Sequence, residues 1–276
     1  MKHDILDNEQ ISELKKNLTQ KITRQIQKTR ALKFSLFIFL CRLTVFLVVL
    51  GLYLTHRDWV TFIVNEFTWR RFTIIHVIWV LFMLIMISHV IPNNRLTMAW
   101  RKAREDVYVP AEDYDELELL RFTQKQNIRA WTVLLVWLCF NAVFGILYLT
   151  EVIEEGDLLM LSVFYFLSDY ICILFFCPFQ TGIMKNKCCI NCRIYDWGHF
   201  MMFTPMLFIK NFYSWSLFFT SVVVLIHWEI IYAQHPERFW EGSNLNLRCA
   251  NCREKTCQIK THIKNKVHEH APGIKL

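Results

Sequence analysis

Residues 177–192 read CPFQTGIMKNKCCINC, and residues 249–257 read CANCREKTC. Each stretch contains a C-x-x-C knuckle, a tight turn on which two thiols can bind the same metal ion. The sequence between the two knuckles is apolar and long enough to enter a lipid bilayer and to return. We therefore predict that distant thiols become neighbours at one face of a membrane-embedded fold.

The composition indicates the class of protein. Of 276 residues, 54% are hydrophobic and 15% are aromatic, too apolar a share for one soluble domain to bury. A helix rises ~1.5 Å per residue, so apolar runs of about 20 residues can cross a bilayer core. We predict an all-α polytopic transmembrane bundle. The formal charge of +7 lies between the spans and comes with no groove-reading motif, so we predict no nucleic-acid partner.

The hydropathy pattern predicts five clear spans, near residues 34–55, 72–91, 131–150, 158–178 and 212–232. Residues 195–209 admit two interpretations: a surface helix, which gives five spans, or a short span bent at Pro205, which gives six. With six spans, the basic residues of 93–130 and of the 234–276 tail face the cytoplasm, as the positive-inside rule requires. We prefer six, which puts both knuckles and both termini on the cytoplasmic side of the cell membrane.

We predict three parts: an N-terminal helix (1–33), a transmembrane bundle (34–233) that includes a cytoplasmic loop (93–130), and a basic, cysteine-containing tail (234–276). Three segments of these parts are candidates for contacts with lipids or partners. Residues 1–33 predict a basic amphipathic helix, which either lies on the anionic lipids of the cytoplasmic leaflet or packs on the protein's own loops. Loops 93–130 and 235–244 mix charged residues with proline and aromatic residues. We predict that either loop can contact a protein partner. Within 93–130, Pro110 is the predicted opener of the helix that leads into the third span.

The knuckle cysteines are the predicted metal ligands. Four thiolates suit tetrahedral zinc, a single iron or an iron–sulfur cluster, and the natural four are Cys189, Cys192, Cys249 and Cys252. Three further thiols fall on the same face as possible additional ligands: Cys177, Cys188 and Cys257. A zinc staple is the first expectation. An iron centre, metal transfer or thiol–disulfide chemistry are the alternatives, and the surplus of thiols favours them.

Ionisable residues inside spans are costly, so each one marks a candidate functional position. Arg42 and Asp169 fall at similar depths in the first and fourth spans, and we predict that they can form an ion pair. A second group lies near the cytoplasmic ends of the spans: His89, His227, Glu229, Asp196 and His199. This group predicts a proton or metal-ion vestibule beneath the thiols. The alternative is a set of interfacial side chains that reach independently to water.

Two functional classes follow from these patterns. The first is a membrane scaffold or interaction protein whose zinc knuckles fix the cytoplasmic face. The second is a redox or metal-handling membrane subunit that uses the cysteines together with the vestibule. Sequence motifs of a serine hydrolase, a phosphate-binding loop and a dinucleotide fold are absent.

Overall fold

The computed structural model describes residues 30–56, 74–91, 98–252, 257 and 259–261. The predicted amphipathic helix falls almost entirely on residues outside these ranges. Within the described residues every regular element is helical, and the only extended pairing there is an isolated bridge between Pro110 and Asn244. The all-α prediction is confirmed.

Seven α-helices form the scaffold of the described residues. They are α1 (Arg30–Thr55), α2 (Ile74–Val90), α3 (Met98–Arg101), α4 (Glu116–Leu149), α5 (Glu155–Leu174), α6 (Gly198–Phe203) and α7 (Phe212–Gln234). Four of these helices, α1, α4, α5 and α7, are long and apolar enough to cross a membrane, and α2 is a shorter apolar helix. These are the features of a helical membrane protein.

Polar side chains fix where the long helices begin. The Asp115 carboxylate accepts a hydrogen bond from the Leu117 amide at 2.8 Å and caps α4. The side chain of Asn211 caps α7 in the same way through the amide of Tyr213, at 3.0 Å. The prediction that Pro110 opens the helix was wrong, because Pro110 pairs with Asn244 of loop 235–244 and Asp115 supplies the capping oxygen of α4.

The centre of the bundle is filled by a broken helical segment rather than by a continuous helix. A 3₁₀ turn (Arg193–Trp197), α6 and a second 3₁₀ turn (Thr204–Phe208) follow one another and pack against α4, α5 and α7. The Trp137 indole of α4 donates a hydrogen bond to the Thr204 hydroxyl at 3.1 Å. Around this segment, α1 packs on α5 and α2 packs on α7.

The broken segment coincides with the short span predicted for residues 195–209. The structure divides it into three turns and places Pro205 at the start of the last one, where its missing amide costs no helical hydrogen bond. Four helices qualify as spans by length and composition. The count of six spans stays a prediction.

The loop after α3 and the loop after α7 are joined by backbone hydrogen bonds. The Ala111 amide donates to the Ser243 carbonyl, and the Leu245 amide donates to the Val109 carbonyl, each at 2.9 Å. Both loops predicted to contact a protein partner are therefore already in contact with one another. Binding of a partner by either loop stays a prediction.

Candidate functional site

The four predicted metal ligands do not come together. Cys192 is buried among aromatic side chains, and this burial raises the pKa of its thiol to about 12. Cys249 is exposed, and the Cys189 thiol contacts Gln180 and Lys260 instead. Across residues 30–56, 74–91 and 98–252 and the described tail positions, no three His, Cys, Asp or Glu side chains are arranged to hold a metal ion. The four-thiolate centre stays a prediction.

The two cysteine stretches nevertheless touch through other members. Cys188 is buried in a small cluster with Ala99, Ile190 and Leu247. Two half-buried thiols of the tail pack against this cluster, those of Cys252 and Cys257. The tail thus docks beside the first knuckle, and burial raises the pKa of both the Cys188 and the Cys257 thiols.

Two thiols lie close to the point where the chain leaves α5. Cys172 is on the last turn of α5, Cys177 follows three residues after the helix ends, and hydrogen bonding between the two thiols is the leading cause of a lowered pKa at Cys177. The Cys177 sulfur also accepts from the backbone amide of Gln180 at 3.4 Å. Pro178 directs the chain into a π-helical turn, Phe179–Met184, that presents this amide.

These donors outweigh the effect of burial on Cys177. Hydrogen bonding with Cys172 lowers the pKa of the Cys177 thiol below its ordinary value, with help from the backbone amides of Phe179 and Gln180 and the charge of Lys260. A lowered pKa increases the fraction of Cys177 that is thiolate at neutral pH, and the thiolate is the nucleophilic form of cysteine.

A third thiol, that of Cys189 in the first knuckle, lies next to these two. The Cys189 sulfur lies 3.7 Å from the carbonyl oxygen of Cys172 and 3.1 Å from Oε1 of Gln180. The ammonium group of Lys260 donates to both Cys189 Sγ, at 2.9 Å, and Gln180 Oε1, at 2.8 Å. We call Cys172, Cys177, Cys189, Gln180 and Lys260 the thiol site.

The predicted vestibule is present in part. His89 Nδ1 and Asp196 Oδ1 are 2.9 Å apart, and the rings of His89 and His199 have centroids 4.8 Å apart. Together with His227, His89 and Asp196 line a cavity of about 430 Å³. Three of the five predicted residues therefore line one cavity, and His199 packs against one of them.

Glu229 is the exception among the vestibule residues. Its carboxylate accepts from the Trp197 indole at 2.9 Å and forms an ion pair with Arg193. The prediction that Glu229 joins the histidines was wrong, because Arg193 and Trp197 hold its carboxylate away from the cavity lining.

The structure contains the ion pair between Arg42 and Asp169. Arg42 Nη1 lies 2.9 Å from Asp169 Oδ2 and donates a second hydrogen bond to the Phe166 carbonyl at 2.6 Å. The guanidinium also stacks over the rings of Phe166 and Tyr170, each at 4.2 Å from the ring centroid. The pair joins α1 to α5, and its contacts are those of a structural tie.

Four residues in and around the site were missed by the sequence reasoning: Cys172, Gln180, Lys260 and Lys102. Cys172 was hidden in an apolar span, and its position five residues before Cys177 was the available signal. Lys102 is fully buried, and its ammonium donates to the carbonyls of Ile190 and Cys192, both at 2.6 Å. Burial lowers the pKa of Lys102 to about 8. No sequence signal separates Lys102 from the exposed basic residues around it.

The fold and the thiol site define the class as a helical membrane protein with reduced, closely spaced cysteines at the end of one long helix. No protein-family model, no curated protein and no solved structure matches the chain. Its function is therefore inferred from its own residues.

Proposed function

We propose that the protein is a multi-pass membrane oxidoreductase that exchanges thiols and disulfides, with Cys177 as the attacking thiolate. The observation that carries the proposal is the grouping of thiols and donors at the end of α5. The Cys177 sulfur accepts from the Gln180 amide at 3.4 Å, and the Cys189 sulfur lies 3.7 Å from the Cys172 carbonyl oxygen. A lowered thiol pKa next to a resolving thiol is typical of redox-active cysteines.

The exchange has two balanced steps. The Cys177 thiolate attacks one sulfur of a substrate disulfide, which forms a mixed disulfide and releases the other substrate sulfur as a thiolate that takes up a proton. Cys172 then loses its proton and attacks the Cys177 sulfur of the mixed disulfide. This step forms the Cys172–Cys177 disulfide and releases the second substrate thiol. The substrate disulfide is reduced, and the protein dithiol is oxidised.

Lys260 and Gln180 support these steps from the side of the third thiol. The Lys260 ammonium stabilises negative charge on the sulfurs around it, and it donates to Cys189 at 2.9 Å. The backbone N–H of Gln180 donates a hydrogen bond to the sulfur of Cys177 at 3.4 Å.

The proposal puts the thiol site on the cytoplasmic face of a six-span bundle. The broken segment supports this placement because it runs alongside α4. At its start, Cys192 and Ile194 cluster with Ala130, and at its end the Phe208 ring packs on Gly145. Fifteen helical residues separate these two levels of α4, a rise of ~22 Å. A segment of that length lets the chain return to the side of the membrane that it left. On the cytoplasmic side, a reducing compartment keeps the site in its dithiol form.

Trapping of the mixed disulfide tests the proposal. The purified full-length protein is incubated with oxidised glutathione, and the glutathione adduct is located by mass spectrometry of its peptides. We expect Cys177→Ser to lose the adduct and Cys172→Ser to accumulate it, because its resolving thiol is gone. Cys139→Ser, at an exposed thiol of α4, is the matched control and should behave as the unsubstituted protein. An adduct that survives in Cys177→Ser would contradict the assignment.

A zinc-knuckle scaffold is the second candidate. It is favoured by the packing of Cys252 and Cys257 against the cluster that contains Cys188, which gathers three thiols of the two cysteine stretches in one region. Metal analysis after anaerobic purification separates the two functions. Stoichiometric zinc that is lost in Cys252→Ser and kept in Cys172→Ser would favour the scaffold. A visible iron–thiolate band that bleaches with dithionite would favour an iron centre instead.

A further inference from the structure

We propose that the cavity beside His89 and Asp196 binds the head group of a lipid-soluble quinone. Among the described residues no cysteine lines this cavity, so the proposal goes beyond thiol exchange and does not depend on it. Three properties of the cavity support this ligand: its size and lining, its buried polar pair, and its borders on the bundle surface.

The size and lining fit a planar ring. The cavity volume of about 430 Å³ lies in the range of small-molecule sites. Its walls include the indoles of Trp100 and Trp228 and the aliphatic side chains of Val90, Ile91 and Ile231. Aromatic side chains offer flat, apolar faces on which a quinone ring can stack.

One polar pair at the cavity gives a hydrogen-bonding group suited to quinone oxygen. The side chains of His89 and Asp196 are only 3% and 5% exposed, and their 2.9 Å contact uses Nδ1 of the histidine. Among the described residues, none forms a hydrogen bond to the other ring nitrogen of His89. With Nδ1–H donated to the carboxylate, Nε2 accepts from a hydroxyl; in the imidazolium form, Nε2–H donates to a carbonyl. Hydroxyl and carbonyl are the two groups by which a quinol and a quinone differ.

The borders of the cavity favour a ligand that arrives through lipid. Ile91, which ends the α2 region, is 57% exposed, and Ile231 neighbours Ile230 of α7, which is 49% exposed. A phosphorylated ligand would need an available cation. Arg104, which lines the cavity, is already paired with Asp106 through Nε and Oδ1 at 2.8 Å. An uncharged, membrane-soluble head group therefore suits the site better than a phosphate.

The test is a binding titration of the full-length protein in lipid nanodiscs. Decylubiquinone is added, and the quenching of tryptophan fluorescence is followed, since two cavity residues are tryptophans. We expect saturable quenching that is smaller in Trp100→Phe. His89→Phe should raise the Kd about tenfold or more, because the hydrogen bond to the ring oxygen is lost. His76→Gln is the matched control, since His76 lies on the same helix against Tyr213, and its Kd should change less than about twofold.

A second variant keeps the test decisive if His89→Phe does not fold. Ile231→Trp fills the cavity from a half-buried wall without removing the polar pair, and it should abolish saturable binding. Quenching that never saturates, or an unchanged Kd in a folded His89→Phe, would overturn the proposal. So would equal displacement of the quinone by a short-chain phosphatidylglycerol, which would indicate a phospholipid site. Cys177→Ser should bind decylubiquinone normally, so a failure of the thiol proposal is told apart from a failure of this one.

Discussion

The ammonium group of Lys260 donates a hydrogen bond to the sulfur of Cys189 at 2.9 Å, although 71 positions separate the two residues along the chain. The same ammonium donates to the side-chain oxygen of Gln180 at 2.8 Å. One residue of the C-terminal tail thus supplies the positive charge of a site built mainly from the end of α5 and the loop after it. The thiol site is complete only when the tail is docked.

Lys260→Met should slow the alkylation of Cys177 at neutral pH. Removing the positive charge raises the pKa of the Cys177 thiol, so less thiolate is present, and we expect the rate to fall about threefold at pH 7. Quantitative mass spectrometry of the iodoacetamide-modified peptide measures this rate. Lys187→Met is the control, because Lys187 is exposed and paired with Glu241. Equal rates in Lys260→Met and the unsubstituted protein would show that the tail charge does not act on Cys177.

Cys172→Ala should move the pH dependence of Cys177 alkylation upward. The Cys172 thiol is the main cause of the lowered pKa at Cys177, so its loss moves the midpoint up toward the ordinary thiol value of about 8.5. The loss in rate is then largest near pH 7 and disappears above the new midpoint. Alkylation measured between pH 6 and pH 9.5 gives both midpoints. The matched control is Cys139→Ala, and a shared midpoint for all three proteins would exclude the thiol–thiol hydrogen bond as the cause.

Lys102 makes the stability of the fold depend on pH in the alkaline range. Burial lowers the pKa of Lys102 from 10.5 to about 8, so between these values the unfolded chain holds a proton that the folded protein has released. The free energy of unfolding therefore rises with pH across this window, by on the order of 3 kcal/mol from this group, and the gain is absent below pH 8.

Lys102→Met should remove this rise. The measurement compares the thermal midpoints of the two proteins in detergent at pH 7.5 and pH 9.5, and the difference between them isolates the contribution of Lys102. Lys185→Met is a suitable control, since it removes one exposed lysine of the neighbouring segment. The same pH dependence in Lys102→Met and the unsubstituted protein would rule out a buried ammonium.

Gly145→Ala should destabilise the bundle, whereas Gly51→Ala should not. A methyl group at Gly145 would lie 2.3 Å from Cζ of Phe208, so the ring must move, which we expect to cost about 1–3 kcal/mol. At Gly51 the added methyl meets nothing within 4 Å, and alanine favours the helix. Thermal unfolding in detergent compares the two variants. Phe208→Leu should recover part of the loss in Gly145→Ala, and no recovery would mean that the contact is not the cause.

The long helices could be predicted from the sequence because apolar runs of bilayer length depend only on local composition. The predicted third span at 131–150 lies in the second half of α4, and the last span at 212–232 matches α7 within two residues. The broken central segment could not be predicted in this form, because its 15 residues are mostly apolar, include one proline and carry no clear period. Its three turns are set by packing against α4, α5 and α7.

The site was predicted less well than the fold, because contacts between distant residues decide it. The sequence indicated a group of cysteines, yet it favoured the C-x-x-C spacing and passed over Cys172, which is inside a span. Glu229 lies two residues after His227 in the sequence, which suggested that the two side chains share a site. In the structure the Glu229 carboxylate forms an ion pair with Arg193 instead. Pairing of charges across the fold is not encoded in spacing along one helix.

The backbone bonds between the two loops have an evolutionary consequence. The Ala111–Ser243 and Leu245–Val109 bonds use only main-chain atoms, so the bonds do not depend on which side chains occupy these four positions. Proline at position 111 or 245 is the exception, since it removes the donor. Homologous chains are therefore expected to avoid proline at those two positions and to vary most at the exposed Val109, because Ala111 and Ser243 are buried.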